Sequence, residues 1–479
     1  MVPLIGLLRG DARSRVEAAT ARDALTAAAQ APPAPSSASG PSTPTPPTNP
    51  GPLSGPPAGA RRRRSRLAVW LSILGPGIIA TAAGNDAGGI LTYIQTGAQF
   101  EYSLIWSIIL VTLSYYVVEE MVARMGAVTG KGLADLIREN YGIKVTFFAM
   151  VVQLIANLAT TVTEFAGIEA VCRIFGLSDE LTRYIAIPCS IALTWFLVVG
   201  NSYTKVERIF LVMSALLLTY VVVALKLHPD WMVIAHQSVF PPIAHQVHLN
   251  GAAYINMLIA LIGTTIAPYQ QFYHQSAVRD KGLTIKQYTT SRWDVLIGCV
   301  SSNLISIFIV IACAITLYAH GIRNVNDVGQ ASIALEPIAG KYARYLFGVG
   351  LLGASLLAAV VVPLTTAYAV TESLGWETGV GRRLRETPLF YGTYGVMLVL
   401  GGALVMLPGL PLVKIIIQAQ VLNAALLPVE LVLIILLSSK RRLMGEYRNS
   451  LIFNTVAWIT VSIVIALSLA NFVLSVLPS

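Results

Sequence analysis

Apolar positions in this chain neither alternate nor recur at helical spacing. They run on. Eleven stretches are apolar for long enough to cross roughly 30 Å of hydrocarbon as helices, near residues 67–97, 103–125, 145–172, 182–200, 207–227, 251–275, 291–318, 345–371, 387–406, 412–437 and 451–476. A helix that is hydrophobic on every side belongs in lipid or deep inside a large protein. The connectors between the runs are too short to form a soluble domain. The pattern predicts an all-α polytopic membrane protein with 11 transmembrane helices.

Two of the runs are interrupted. The first contains GPGIIATAAGNDAGGILTYIQTG, residues 75–97, in which Gly84, Gly88 and Gly89 surround Asp86. Each glycine inside a helix costs about 1 kcal/mol relative to alanine. The sixth contains GTTIAPYQQFYHQS, residues 263–276, where Pro268 lacks an amide donor and clashes with the preceding turn. Irregular backbone at membrane depth is tolerated only where protein buries it or where it lines a water-filled cavity. Broken segments at positions 1 and 6 of a 5+5 arrangement are the pointer to an inverted-repeat transporter of the LeuT type. The alternative is plainer: a proline kink, and glycines that permit close packing. Asp86 weighs against it. A carboxylate at mid-bilayer costs at least ~2.5 kcal/mol on insertion scales, and no Lys or Arg follows Arg66 in the segment to pair with it. A cation from solution, met by Asp86 and by carbonyls freed at the break, is the expected partner.

Composition agrees. The chain is 55% hydrophobic and 12% charged, with a mean hydropathy of +0.67, against roughly a quarter charged in soluble domains. Residues 1–66 differ from the rest: a Pro/Ala/Ser-rich tail, expected to be disordered and cytoplasmic, ends in the basic cluster RRRRSR, and 67–479 form the transporter domain. The net charge of +9 is one of topology rather than of nucleic-acid binding. With the N-terminus inside, the connectors on the cytoplasmic side hold 22 Lys/Arg and those on the other side 6. That imbalance follows the positive-inside rule and places Ser479 outside. A bacterial plasma membrane is the expected location. Cys172, Cys189, Cys299 and Cys313 form no CxxC pair and are expected to pack as ordinary apolar side chains. No nucleophile–base pair, phosphate loop or fixed metal cluster supports an enzyme, and no cofactor is implied.

Several motifs together are similar to the Nramp divalent-metal transporters. GPG-x8-D-x-G followed by IQTGAQFEYSLIW resembles that family's first helix; MVARMGAVTGKGLADLIRENYG (121–142), LEPIAGKYARYLFGVGLLGASL (335–356) and SSKRRLMGEYRNS (438–450) resemble later landmarks in the same order. The resemblance covers roughly residues 70–476 and implies the LeuT-type fold, with a metal site between the unwound parts of helices 1 and 6. It also carries departures. The family's DPGN reads DAGG here, so its metal-binding asparagine is Gly89. Its MPH reads Ala267-Pro268-Tyr269, so the metal-binding methionine is Ala267 and the proton-handling histidine is Tyr269. On helix 3 an aspartate of the family is Thr161, while Glu164 is retained.

These changes share a direction. Loss of a thioether removes a soft ligand that favours transition metals, and Gly89 and Ala267 delete volume, which should enlarge the site. Mg²⁺ sheds water reluctantly and is held by one or two carboxylates. The pattern therefore resembles the magnesium-transporting branch: import of Mg²⁺, also of Mn²⁺, bound partly hydrated. Thr161 does not titrate and Tyr269 titrates near 10 in its reference state, so proton coupling is expected to be lost, leaving the membrane potential at about 2.3 kcal/mol per charge per 100 mV as the drive. The alternative retains proton-coupled Mn²⁺/Fe²⁺ transport, with Glu164 still present; a sodium-coupled symporter of organic solutes and a non-transporting scaffold are weaker readings.

The candidate metal set is Asp86, Ala83, Gly89, Thr264, Thr265, Ala267, Gln418 and Gln420, with Asn423 beside the last. Thr264 and Thr265 lie where helix 6 should unwind, and Gln418 and Gln420 sit on the tenth segment, which faces the site in this fold. Coupling or pathway candidates are Glu164, Thr161, Tyr269, His274, Glu119 and Glu120. Asp294 and Asn303 are expected to be structural, and His236, His245 and His248 to lie in a solvated external loop. The partners are the divalent cation and the lipid bilayer; the sequence leaves the oligomeric state open.

Overall fold

A computed structural model describes residues 76–199 and 215–476. The tail expected over 1–66, and the first part of the opening span, lie outside the described residues. Among the described residues the secondary structure is helical throughout, with no strand. The longer helices are α1 (Pro76–Ala83), α2 (Ala87–Phe100), α3 (Ile105–Thr129), α4 (Leu133–Ile174), α5 (Ile187–Val199), α6 (Thr219–Lys226), α7 (Trp231–Val239), α8 (Ile243–Thr265), α9 (Pro268–Asp280), α10 (Tyr288–Cys313), α11 (Ala343–Leu374), α12 (Pro388–Val405), α13 (Leu412–Ser439) and α14 (Leu451–Val476). Nine helices or joined helix pairs among the described residues are long and apolar enough to cross a membrane. The first expected span is α1 plus α2, each short because the break divides them. The fifth is described only from Ala215 onward.

Some boundaries differ from the sequence pattern. The third span is preceded by helix over 133–141, and the two pieces meet at Gly142, whose φ of 76° and ψ of 176° turn the chain. The left-handed region favours glycine there. The connector over 226–250, expected as a loop, is largely helical: α7 follows α6 at a bend of 108°, and α8 starts at Ile243. Asp230 caps α7 by accepting from the amides of Met232 and Val233, which is how a polar connector gains a helix.

The core lies where the broken spans cross their neighbours. α8 packs on α13 so closely that a Cβ on Gly263 would sit 1.9 Å from the Gln420 carbonyl oxygen. Small residues at such crossings let backbones approach where no hydrophobic force drives helices together. Hydroxyls on the buried helices bond back to their own turns, as Thr365 does to the Val361 carbonyl at 2.8 Å, so they enter lipid already satisfied. Polar groups expected to be structural are so used: Asp294 accepts from the Gly77 amide at 2.8 Å, and Asn303 donates to Thr112 at 2.7 Å.

Candidate metal site

Three residues, Gly84–Asp86, separate α1 from α2, and Ile266–Ala267 separate α8 from α9. Both ends of each break follow local chemistry. Asp86 is extended (φ −78°, ψ −179°) and caps α2, its Oδ1 accepting from the Gly89 amide at 2.6 Å. Pro268 opens α9 at a helix-start position, where its missing amide costs nothing and its fixed φ suits the helix. The C-terminal ends of α1 and α8 carry the negative ends of their helix dipoles. That combination attracts a cation before any side chain is counted.

Asp86 is 2% exposed, and among the described residues no Lys or Arg forms an ion pair with it. Tyr269 ties the breaks together: its hydroxyl lies 2.8 Å from the Ala83 carbonyl, to which it donates, and 3.4 Å from Asp86 Oδ2. Beside the carboxylate stand polar atoms with nothing to bond. The Gln420 amide nitrogen has no partner and lies 1.9 Å from where a Cβ on Gly88 would be. Thr264 Oγ1, also unpartnered, lies 3.0 Å from the Cβ position of Gly89, with Asp86 Oδ1 at 3.4 Å from it. Gln270, with both amide atoms unpartnered, fills the space against Gly84. Buried polar groups are nearly always hydrogen-bonded, so this concentration marks a place built for a further ligand. The donors are oxygens and amides; no sulfur joins them, since position 267 is alanine.

At Gly89, one of the two positions expected to enlarge the site, the Gly84 carbonyl oxygen and Thr264 Oγ1 each lie 3.0 Å from where a Cβ would be, while Gln420 and Gln270 fill the space beside Gly88 and Gly84. Thr264 and Thr265, expected where span 6 unwinds, are instead the last helical residues of α8, and the irregular residues are Ile266 and Ala267. Thr265 Oγ1 is 3.4 Å from the Tyr93 hydroxyl. Gln418 is exposed two residues from Gln420; it lines a separate cavity of about 560 Å³ with Gln95, Gln99, Asn256, Asn324 and Lys414. The 3.6-residue turn separates them. Asn423 sits with Gln420, donating to its Oε1 at 3.2 Å and to Thr160 at 2.9 Å.

Glu164 reaches the break: its Oε2 accepts from the Ala87 amide at 3.2 Å, next to Asp86. Thr161 does not, since its hydroxyl bonds the Asn157 carbonyl at 2.7 Å and its methyl faces Gly401 on α12. On α9, His274 Nδ1 lies 2.6 Å from Glu119 Oε2. Glu120 is instead paired with Arg124 at 3.2 Å and bonded by the Tyr288 hydroxyl. His236 lies on α7 and His245 and His248 on the first turns of α8, all exposed, and no group of three or more His, Cys, Asp or Glu is arranged for a metal among the described residues. Tyr93, Gln270 and Gln271 lie outside the set expected from the sequence. The signal was there: in an apolar chain, α9 carries polar residues at 270, 271, 274 and 275.

The sequence profile described as natural resistance-associated macrophage protein-like (Nramp) matches residues 77–474. A divalent metal cation transporter, MntH, of Klebsiella pneumoniae subsp. pneumoniae is 27% identical over 414 residues, covering 85% of this chain and 94% of that protein. Among solved structures, a mutant of the Eremococcus coleocola manganese transporter superposes with a TM-score of 0.70 at 19% identity, covering 85% of this chain and 87% of that one. Mhp1, a nucleobase-cation-symport-1 family transporter, gives 0.55 at 16% identity, covering 83% and 90%. These structural likenesses give the fold, which is of the LeuT type with broken helices 1 and 6, as expected from the interrupted segments.

Proposed function

The chain belongs to the Nramp family, and from that premise we propose that it is a divalent-cation permease of the cell membrane, taking Mg²⁺ foremost and Mn²⁺ as well, with its N-terminus in the cytoplasm and without obligatory proton movement. The observation that carries this reading is Asp86: a buried carboxylate at a double helix break, free of Lys and Arg among the described residues and ringed by unpartnered amide and hydroxyl groups. Asp86 supplies the charge; the Ala83 carbonyl, which accepts from Tyr269 in this conformation, and the Thr265 carbonyl are the backbone groups at the two breaks that would meet the ion. Gln420 and Thr264 contact its waters, and Gly89 and Ala267 leave the backbone accessible. A hard, oxygen-rich set with one firm carboxylate suits an ion that keeps part of its hydration.

Proteoliposomes loaded with a Mg²⁺-sensitive dye test it: external Mg²⁺ raises the signal, and an inside-negative potential speeds the rise while internal pH stays level. Absence of Mg²⁺ flux overturns the reading. Ala267→Met restores a soft donor; it is expected to lower the Cd²⁺ concentration that half-blocks Mn²⁺ uptake by about tenfold, some 1.4 kcal/mol of added affinity. An unchanged Cd²⁺ block removes position 267 from the site.

One observation favours the second reading, proton-coupled Mn²⁺/Fe²⁺ transport: Glu164 hydrogen-bonds the amide next to Asp86 and is fully buried. Internal acidification that tracks metal entry supports that reading over the first.

A further inference from the structure

α9 leads away from the break as a polar stripe. Gln270, Gln271, His274 and Gln275 are each 0% exposed, and four-residue spacing sets 270 with 274 and 271 with 275 on adjoining faces. At one end Gln270 packs against Gly84 at the break. At the other, Gln275 donates to the Lys131 carbonyl at 3.0 Å, in the connector between α3 and α4. Midway, the stripe meets Glu119 of α3. Gln271 Nε2 donates to Glu119 Oε1 at 3.3 Å, and His274 Nδ1 approaches Glu119 Oε2 at 2.6 Å.

What surrounds that carboxylate is uncommitted. Gln271 Oε1, Gln275 Oε1, His274 Nε2 and the hydroxyl of Tyr115, one turn earlier on α3, are buried with no hydrogen-bond partner. Among the described residues the ion-pairing partner of Glu119 is His274; its neighbour Glu120 is neutralised by Arg124. Buried polar groups are nearly always hydrogen-bonded, and here several near one charge are not. Carbonyl oxygens and a carboxylate are the ligands a hard divalent cation takes, and imidazole adds the transition ions.

We infer that Glu119, with Gln271, Gln275 and His274, is a second cation station, receiving a hydrated Mg²⁺ or Mn²⁺ that has left Asp86 for the cytoplasm. It rests on the reading of Asp86 as the first station. In this conformation His274 holds the carboxylate; the arriving ion takes its place, and the free carbonyls of Gln271 and Gln275 meet the ion or its waters.

Mn²⁺ alone serves as the probe, its free concentration read by electron paramagnetic resonance over the full-length protein in nanodiscs. Wild type is expected to bind two equivalents, Asp86→Asn one, Glu119→Gln one and the double variant none. A wild-type stoichiometry unchanged by Glu119→Gln overturns the station. An Asp86→Asn that keeps both equivalents overturns the first site instead, so the two failures are distinguishable. Should Glu119→Gln lose its gel-filtration peak, Gln271→Met decides: it keeps volume and the carboxylate, and is expected to weaken one equivalent about tenfold. Unaltered binding in that variant overturns the station.

Discussion

Asp86→Ala abolishes divalent-cation uptake, a fall expected to exceed about a hundredfold, or roughly 2.8 kcal/mol in the rate-limiting interaction. The residue supplies the negative charge at the two breaks, and its neighbours there are neutral amides and hydroxyls that orient water without offsetting a double positive charge. Glu164 does not substitute for it, being held by the Ala87 amide and the Thr163 hydroxyl. Alanine also removes the cap of α2, which costs about 0.5–2 kcal/mol of local stability. Asp86→Asn separates the two effects. It keeps an oxygen for the Gly89 amide and loses only the charge, so its thermal midpoint should stay near wild type while uptake falls as in the alanine variant. Dye-loaded proteoliposomes read both variants; uptake at the wild-type rate would take Asp86 out of the site.

Gly263→Leu produces the second large effect, through packing. The Cβ meets the Gln420 carbonyl at 1.9 Å and the Ala424 amide nitrogen at 2.7 Å, and both are backbone atoms. Overpacking a close helix crossing typically costs about 1–3 kcal/mol. Here it also wedges α8 from α13 at the level of Gln420 and Thr264. The expected result is loss of transport with a lowered melting temperature. Gly392→Ala, on the exposed face of α12 with nothing within 4 Å, is the matched control. It should leave transport intact and favour the helix by about 1 kcal/mol. Equal behaviour of the two variants, read by transport and by differential scanning fluorimetry, would sink the argument.

The spans, the two breaks and the place of Asp86 were legible because each follows from one-dimensional chemistry: uninterrupted apolarity, glycine and proline at membrane depth, a carboxylate without a counter-charge. Rotation about a helix axis was not. Gln418 and Gln420 read alike in sequence, yet a two-residue step places one in a separate cavity and the other against Gly88. Thr161 and Glu164 lie almost a turn apart, and only the latter reaches Ala87. Nor does a glycine in sequence specify what lies against it; Gln420 fills the space beside Gly88 and Gln270 that beside Gly84, through torsions that no pattern fixes. The helical character of the 226–250 connector was hidden because its caps, Asp230 among them, read equally well as turn residues.

The Asp86 carboxylate proposed to meet an arriving ion is also engaged, through Oδ1, with the first turn of its own helix, 2.6 Å from the Gly89 nitrogen. An ion on that carboxylate shares its charge with the turn or loosens it, and either subtracts from the grip. A carrier that clung to its passenger would be slow to release it, since passage needs binding weak enough to leave. Competition from a backbone amide sets a ceiling on residence time, and so exchanges tightness for turnover.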